Sequence, residues 1–312
     1  MKKIAFVLLA TLSLLSGCDK DGKNQNDTFQ VHLQVYDAVS LYNDLALDPF
    51  NVAYRYHIYL TGGKTQSLKN ELLSQAEIIP SADGLRDTIR FTEQQEAPQN
   101  DRVRGGDVVI HTFGSSLSDE GAVWRITTNP NNEYYLFDPA SGYWNVGLDD
   151  SNEYLIANKG ADTFGVSAKE VYIASIVSYS QTIWNWDLDV LISRTQGSGT
   201  DLRNSHFEIA AAEGGLLAAS GFFNSTSDPA RFRYEIINPV LYSTDCAYLK
   251  KSGGKERIVR MDLQNYKGLD SLIFNFGQDI NTCAPAFSVT AKTQDYTTWE
   301  THKYDPDRNW IE

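Results

Sequence analysis

Cysteine, methionine and histidine are all scarce in this 312-residue chain, with three, two and five residues respectively. There is no Cys-x-x-Cys and no His-Glu-x-x-His. His32, His57, His111, His206 and His302 are scattered singly, so neither a metal nor a cofactor is expected. A Gly-x-Ser-x-Gly nucleophile motif is also missing; Gly197-Ser198-Gly199 lies in a Ser/Gly/Thr stretch that reads as a turn. No run of Lys and Arg offsets the formal net charge of −13, which disfavours nucleic acid as a partner. Beyond the N-terminus no stretch is long and apolar enough to read as a membrane span.

The N-terminus carries Lys2 and Lys3 and then the uncharged run Ile4 to Leu15. As a helix that run would reach only ~18 Å, short of a ~30 Å hydrocarbon core, so it reads as an export signal rather than a permanent span. Leu15-Ser16-Gly17-Cys18 closes it and resembles the lipobox of bacterial lipoproteins. The resemblance covers residues 1–27. It implies cleavage before Cys18, a diacylglycerol on the cysteine sulfur and a fatty acyl group, such as palmitate, on its amine. Two or three acyl chains anchor stably where one does not. Residues 19–27 hold no apolar side chain and read as a solvated tether. Acidic residues directly after the cysteine resemble an inner-membrane retention mark in enteric bacteria and a surface-export mark in Bacteroidetes, and Lys20 interrupts the acidic run. The expectation is an outer-membrane lipoprotein exposed at the cell surface, with the periplasmic face as the alternative.

Removing residues 1–17 takes away two lysines and no acid, leaving 25 basic against 40 acidic side chains and a net charge of −15. With Cys18 acylated, Cys246 and Cys283 remain. An oxidising compartment makes them a disulfide candidate, the alternative being two buried thiols.

Short alternating runs bounded by turn residues dominate the chain. The fold class expected is mainly β, antiparallel and sandwich-like, with two β domains and at most one or two short helices. The domains expected are 28–163 and 164–312, with the boundary near Phe164. Thr28 to Tyr36 alternates and predicts a strand, as does the Tyr-rich, β-branched Val52 to Leu60. Leu68, Leu72, Ala76 and Ile79 recur at helical spacing and predict a short helix over 67–79, ended by Pro80. Glu93 to Gly106 reads as a long loop. Regularly spaced turns from Asp107 to Asn158 predict an antiparallel meander, and eight further strands follow between Val171 and Thr293.

On Ile183 to Ser193, Trp184, Trp186, Leu188, Val190 and Ile192 share the face expected to be buried, while Asp187 and Asp189 share the face expected to be solvated. Aromatic residues, 12% of the chain, also suit sugar recognition, in which a flat ring stacks on pyranose C–H groups beside carboxylates or amides. The candidates are Tyr143 and Trp144 beside Asp138, Phe222 and Phe223 before Asn224, and Trp299 and Trp310 with Asp305 and Asp307. The resulting reading leans non-catalytic: a membrane-anchored surface lipoprotein binding an extracellular ligand such as a glycan. The alternatives are a structural or adhesive component of a surface assembly, resembling the anchored β-sandwich subunits of Bacteroidetes fimbriae, and a glycoside hydrolase with paired carboxylates.

Overall fold

The computed structural model describes residues 25–74, 76–92, 103–138, 142–175, 183–197, 199–200, 202, 205–224, 230–243, 251–260, 269–277, 287–293 and 300–304. Cys18, Cys246, Cys283, Trp299 and Trp310 lie outside them.

The expectation of a mainly β, antiparallel chain holds, and the described strands form one hydrogen-bonded sheet. Two helices precede it: α1 (Gln25–Thr61) and α2 (Gln66–Leu72). The strands expected at Thr28–Tyr36 and Val52–Leu60 are corrected, because both lie inside α1, which at 37 residues is also far longer than expected. Every residue from Leu45 to Phe50 is buried, and Val52, Ala53, Tyr54, Tyr56 and Ile58 are buried beyond them, so this stretch of the helix is covered on every side from Leu45 to Phe50. A helical stretch covered in this way need not show one apolar stripe, and the Val and Tyr residues of Val52–Leu60 then imitate a strand. The second helix is capped at Thr65, whose Oγ1 accepts the Leu68 amide at 3.2 Å. It stops at Leu72, short of the expected Ile79, because Ala76–Pro80 pairs as a strand in register with Phe91 to Asp87.

The strands are β1 (Ala76–Pro80), β2 (Arg86–Phe91), β3 (Val103–His111), β4 (Val123–Thr128), β5 (Tyr135–Asp138), β6 (Gly142–Gly147), β7 (Leu155–Gly160) and β8 (Thr163–Ser175). They continue with β9 (Ile183–Gln196), β10 (His206–Ala211), β11 (Leu217–Asn224), β12 (Ala230–Ser243), β13 (Lys251–Arg260), β14 (Leu269–Gly277), β15 (Phe287–Thr293) and β16 (Glu300–Tyr304). Residues 103–106, expected in a loop, belong to β3.

Three adjacent pairs of strands are each one interrupted line. β4 and β5 lie end to end against β3, β6 and β7 against β8, and β10 and β11 between β9 and β12. Counted this way, the sheet is an up-and-down meander whose through path has thirteen strands, each antiparallel to the one before. Phe164, near the expected domain boundary, lies in β8, with its ring 6.0 Å from Phe50 and 5.3 Å from Tyr54.

The sheet curls around α1. Tyr56 bonds Asp87 of β2 at 2.6 Å, and Tyr54, two residues away, packs its ring 5.8 Å from Phe207 of β10. On a flat sheet the six intervening strand spacings of ~4.8 Å would separate β2 from β10 by roughly 29 Å. A helix ~10–12 Å across reaches both only if the sheet bends around it.

Polar contacts pin the helix within this trough. Asp48 accepts Arg104 Nε at 2.9 Å and Nη2 at 2.7 Å, and also takes the Tyr134 hydroxyl, all three side chains being buried. Pro49 follows Asp48 and lacks the amide hydrogen that an α-helix needs. Beside it the Tyr154 hydroxyl donates to the Ala46 carbonyl at 3.0 Å and accepts the Phe50 amide at 3.2 Å, so it bridges a donor and an acceptor one helical turn apart. Trp186 Nε1 donates to Asn43 Oδ1 at 3.3 Å.

Candidate functional site

Alternation along β3 assigns the two faces of the sheet. Arg104, Val108 and Ile110 point at α1 or its core, so Gly105, Asp107, Val109 and His111 line the outer face. Across β5 and β6 the same rule sends Tyr134, Leu136, Trp144 and Val146 inward and leaves Tyr135, Phe137 and Tyr143 outward.

Tyr143 is half-buried and belongs to an aromatic trio. Its ring lies 4.8 Å from Phe137 and 5.9 Å from Tyr135, the latter edge-on. Beneath the trio, Gly105 faces the Tyr135 ring directly, and a Cβ there would overlap it. Asn145, opposite Tyr135 in register, donates to Glu133 Oε2 at 2.6 Å and gives the trio a polar margin. Trp144, singled out together with Tyr143, is 6% exposed and faces the core, which leaves its ring no open face for a sugar.

The loop between β4 and β5 folds over the outer face next to this trio. Asn131 N–H bonds Asn129 Oδ1 at 3.0 Å, an Asx turn that gathers the asparagines. Asn129 Nδ2 and Asn132 Nδ2 then donate to Asp107 at 3.0 and 2.7 Å, and Arg90 adds a two-pronged contact at 2.9 and 3.1 Å. Gly106, with φ +82°, lies under the Glu133 carbonyl, where a Cβ would collide. Burial pushes the Asp107 carboxyl upward, but hydrogen bonds from Arg90, Asn129 and Asn132 and the guanidinium charge outweigh it and hold the group below the usual carboxylate range. The triplet Gly105-Gly106-Asp107 is therefore a seat: one glycine for a ring, one for a loop, and an acid to fasten that loop.

Asp187 and Asp189 are exposed on the outer face of β9, while Trp184, Trp186, Leu188, Val190 and Ile192 are buried, as the alternation predicts. Asp187 accepts the Glu170 amide at 2.8 Å and the Ser220 hydroxyl at 3.4 Å, closing a bulge in β8. Phe222 and Phe223 fall in β11, and Asp138 ends β5. Asp305 and Asp307 lie outside the described residues. Among the described residues no group of three or more His, Cys, Asp and Glu side chains is placed to hold a metal, and no helix is long and apolar enough to cross a membrane.

Sequence reading missed Tyr135, Phe137, Asp107 and Arg90. The signals were present as Gly105-Gly106-Asp107 and Asn129-Pro130-Asn131-Asn132, each of which resembles an ordinary turn until the two are seen to interlock. In class, the molecule is a mainly β chain whose curled antiparallel meander packs around the C-terminal part of one long helix and carries an aromatic and amide-rich outer face. No family model, curated protein or solved structure matches it.

Proposed function

We propose that this chain is a lipid-anchored outer-membrane protein, exposed at the cell surface, that holds an extracellular glycan on the outer face of its sheet without transforming it. The leader ending at Cys18 supports the anchor. The observation that carries the binding reading is the trio Tyr135, Phe137 and Tyr143, set over Gly105 and bordered by the Glu133–Asn145 pair. Such rings offer apolar faces to sugar C–H groups, and neighbouring amide and carboxylate groups bond the hydroxyls. Native affinity electrophoresis of the detergent-solubilised full chain tests this. Retardation by at least one polysaccharide is expected, with loss in Tyr135→Ala/Tyr143→Ala at an unchanged melting temperature. No retardation on any of a broad panel would overturn the reading.

A second reading, a structural subunit of a surface assembly, is favoured by the open ends of the meander. Among the described strands, β1 pairs only with β2 and β16 only with β15, and such edges accept added strands. Sedimentation velocity decides it, and a strict monomer at all concentrations would count against it.

A further inference from the structure

Six residues along β3 from Gly105, or ~20 Å at ~3.4 Å per residue, the outer face changes character. Arg86 of β2, His111 of β3 and Arg125 of β4 are direct cross-strand partners and form one row. The two arginines stand two strand spacings apart, ~10 Å, on either side of His111, and a chain of net charge −13 would not gather them by composition alone. Arg86 is exposed, and Asp83 lies within reach of its charge. Arg125 pairs at 3.0 Å with Asp150, whose side chain is 81% exposed, and the Arg125 Nε is buried without a hydrogen-bond partner among the described residues. His111 Nε2 lies 3.0 Å from Thr127 Oγ1.

The row ends at an exposed ring. Phe113 is 58% exposed, its centroid is 6.2 Å from that of His111 with the planes 28° apart, and its φ is +53°. A bulky residue in the left-handed region is strained. Here the strain holds an apolar face in solvent, fixed by the amides of Thr112 and Phe113 on the Leu85 carbonyl at 2.9 and 3.2 Å.

We infer that this row reads the charge of the glycan: an acidic polysaccharide, bearing carboxylate or sulfate, runs parallel to β3 across the loop that covers Asp107, with sugar rings on Tyr135, Phe137 and Tyr143 at one end and on Phe113 at the other, and its anionic groups on Arg86 and Arg125. The inference rests on the glycan reading above and adds the class of glycan. A guanidinium fork matches a carboxylate or sulfate edge, and the exposed Asp150 occupies the place on Arg125 that the ligand's anion would take. Asp107 lies between the two ends but does not repel the chain, because it is fully buried and its carboxylate is engaged by Arg90, Asn129 and Asn132.

The test compares the detergent-solubilised full chain on polygalacturonate and dextran sulfate, on the neutral polymers dextran, mixed-linkage β-glucan and mannan, and on poly-glutamate. Affinity for one of the two acidic polysaccharides is expected to exceed that for any neutral polymer or poly-glutamate by at least tenfold. Arg86→Gln/Arg125→Gln should remove at least tenfold of it, Arg86→Lys/Arg125→Lys should restore part, and Phe113→Ala should weaken binding. Lys159→Gln/Lys169→Gln removes the same charge elsewhere and should leave binding unchanged. Equal losses in the arginine and lysine variants, no loss in the arginine variant, or poly-glutamate binding as tight as polygalacturonate would overturn the inference. Retention on neutral polymers without preference for acidic ones would end this inference and leave the glycan reading standing, whereas retention on no polysaccharide would end both.

Discussion

Asp48 and Arg104, 56 residues apart in the chain, form a buried two-pronged ion pair that joins the enclosed helix to the inner face of β3. Their side chains are 4% and 5% exposed, so protein groups rather than water must solvate the two charges, each other's charge and, for Asp48, the Tyr134 hydroxyl among them. Removing one partner should cost about 3–5 kcal/mol, because it takes the opposite charge away from a buried one, whereas replacing both with apolar residues costs far less. Urea denaturation of Asp48→Leu, Arg104→Leu and the double variant checks this. A double variant no more stable than either single one would contradict it.

Tyr154→Phe should cost about 1–3 kcal/mol, since the Phe50 amide and Ala46 carbonyl lose a shared partner in a buried setting. Pro49→Ala allows the helix to close its own hydrogen bonds, so the cost of Tyr154→Phe should shrink in that background. A double-mutant cycle on unfolding free energies measures the coupling. Strict additivity would mean that the hydroxyl and the proline act independently.

Stability should fall on acidification from pH 7.5 to 5.5. Burial lowers the pKa of His57, with the Asp162 charge opposing in part; burial together with Arg125 and Arg86 lowers that of His111, against Asp150. A folded-state pKa below the unfolded value of ~6.5 means that the unfolded chain binds more protons in the interval between them. The stabilisation is therefore full above ~6.5 and is lost as pH falls through the folded values. His57 lies among the rings of Tyr54, Trp124 and Phe164, and its Nδ1 has no hydrogen-bond partner among the described residues, so His57→Phe should fit and flatten the acid limb. Urea midpoints at the two pH values test this, and an identical drop in wild type and variant would refute it.

Cys18→Ala should move the protein out of the membrane fraction without changing its melting temperature. Metabolic labelling with a fatty-acid analogue provides the direct assay. Label retained in the variant would show that the anchor lies elsewhere.

The parts of the fold that were legible in the sequence are those in which one face meets the core and the other meets water. Trp184, Trp186, Leu188, Val190 and Ile192 alternate with exposed residues because β9 lies on the trough wall, and period two then records burial directly. Helix α1 was not legible for the opposite reason. From Leu45 to Phe50 every side is covered, so there is no contrast to give a helical period, and Pro49 suggests an ending where the chain continues. At the candidate site Tyr143 was visible, but the identity of its neighbours was not: Tyr135 and Phe137 reach it through hairpin register, and the seat beneath is set by Gly105 on another strand. Arg86, His111 and Arg125 sit on three strands and carry no mutual spacing in the sequence at all.

The enclosed helix also sets the order of events when the chain is made. It comes before every strand, yet its partners arrive late: Arg104 is 56 residues from Asp48, Tyr154 is 108 from Ala46, and Trp186 is 143 from Asn43. Neighbouring strands of the meander can zip locally as they appear, but an axle synthesised first must wait, uncovered at Asn43 and Tyr54, until β9 and β10 exist to close over it. Contacts so distant in sequence slow folding and prolong exposure of sticky surface. A chain interrupted before Trp186 would therefore carry part of the sheet around a helix still open to water, and the arrival of β9 and β10 is the step that separates a vulnerable nascent chain from a covered one.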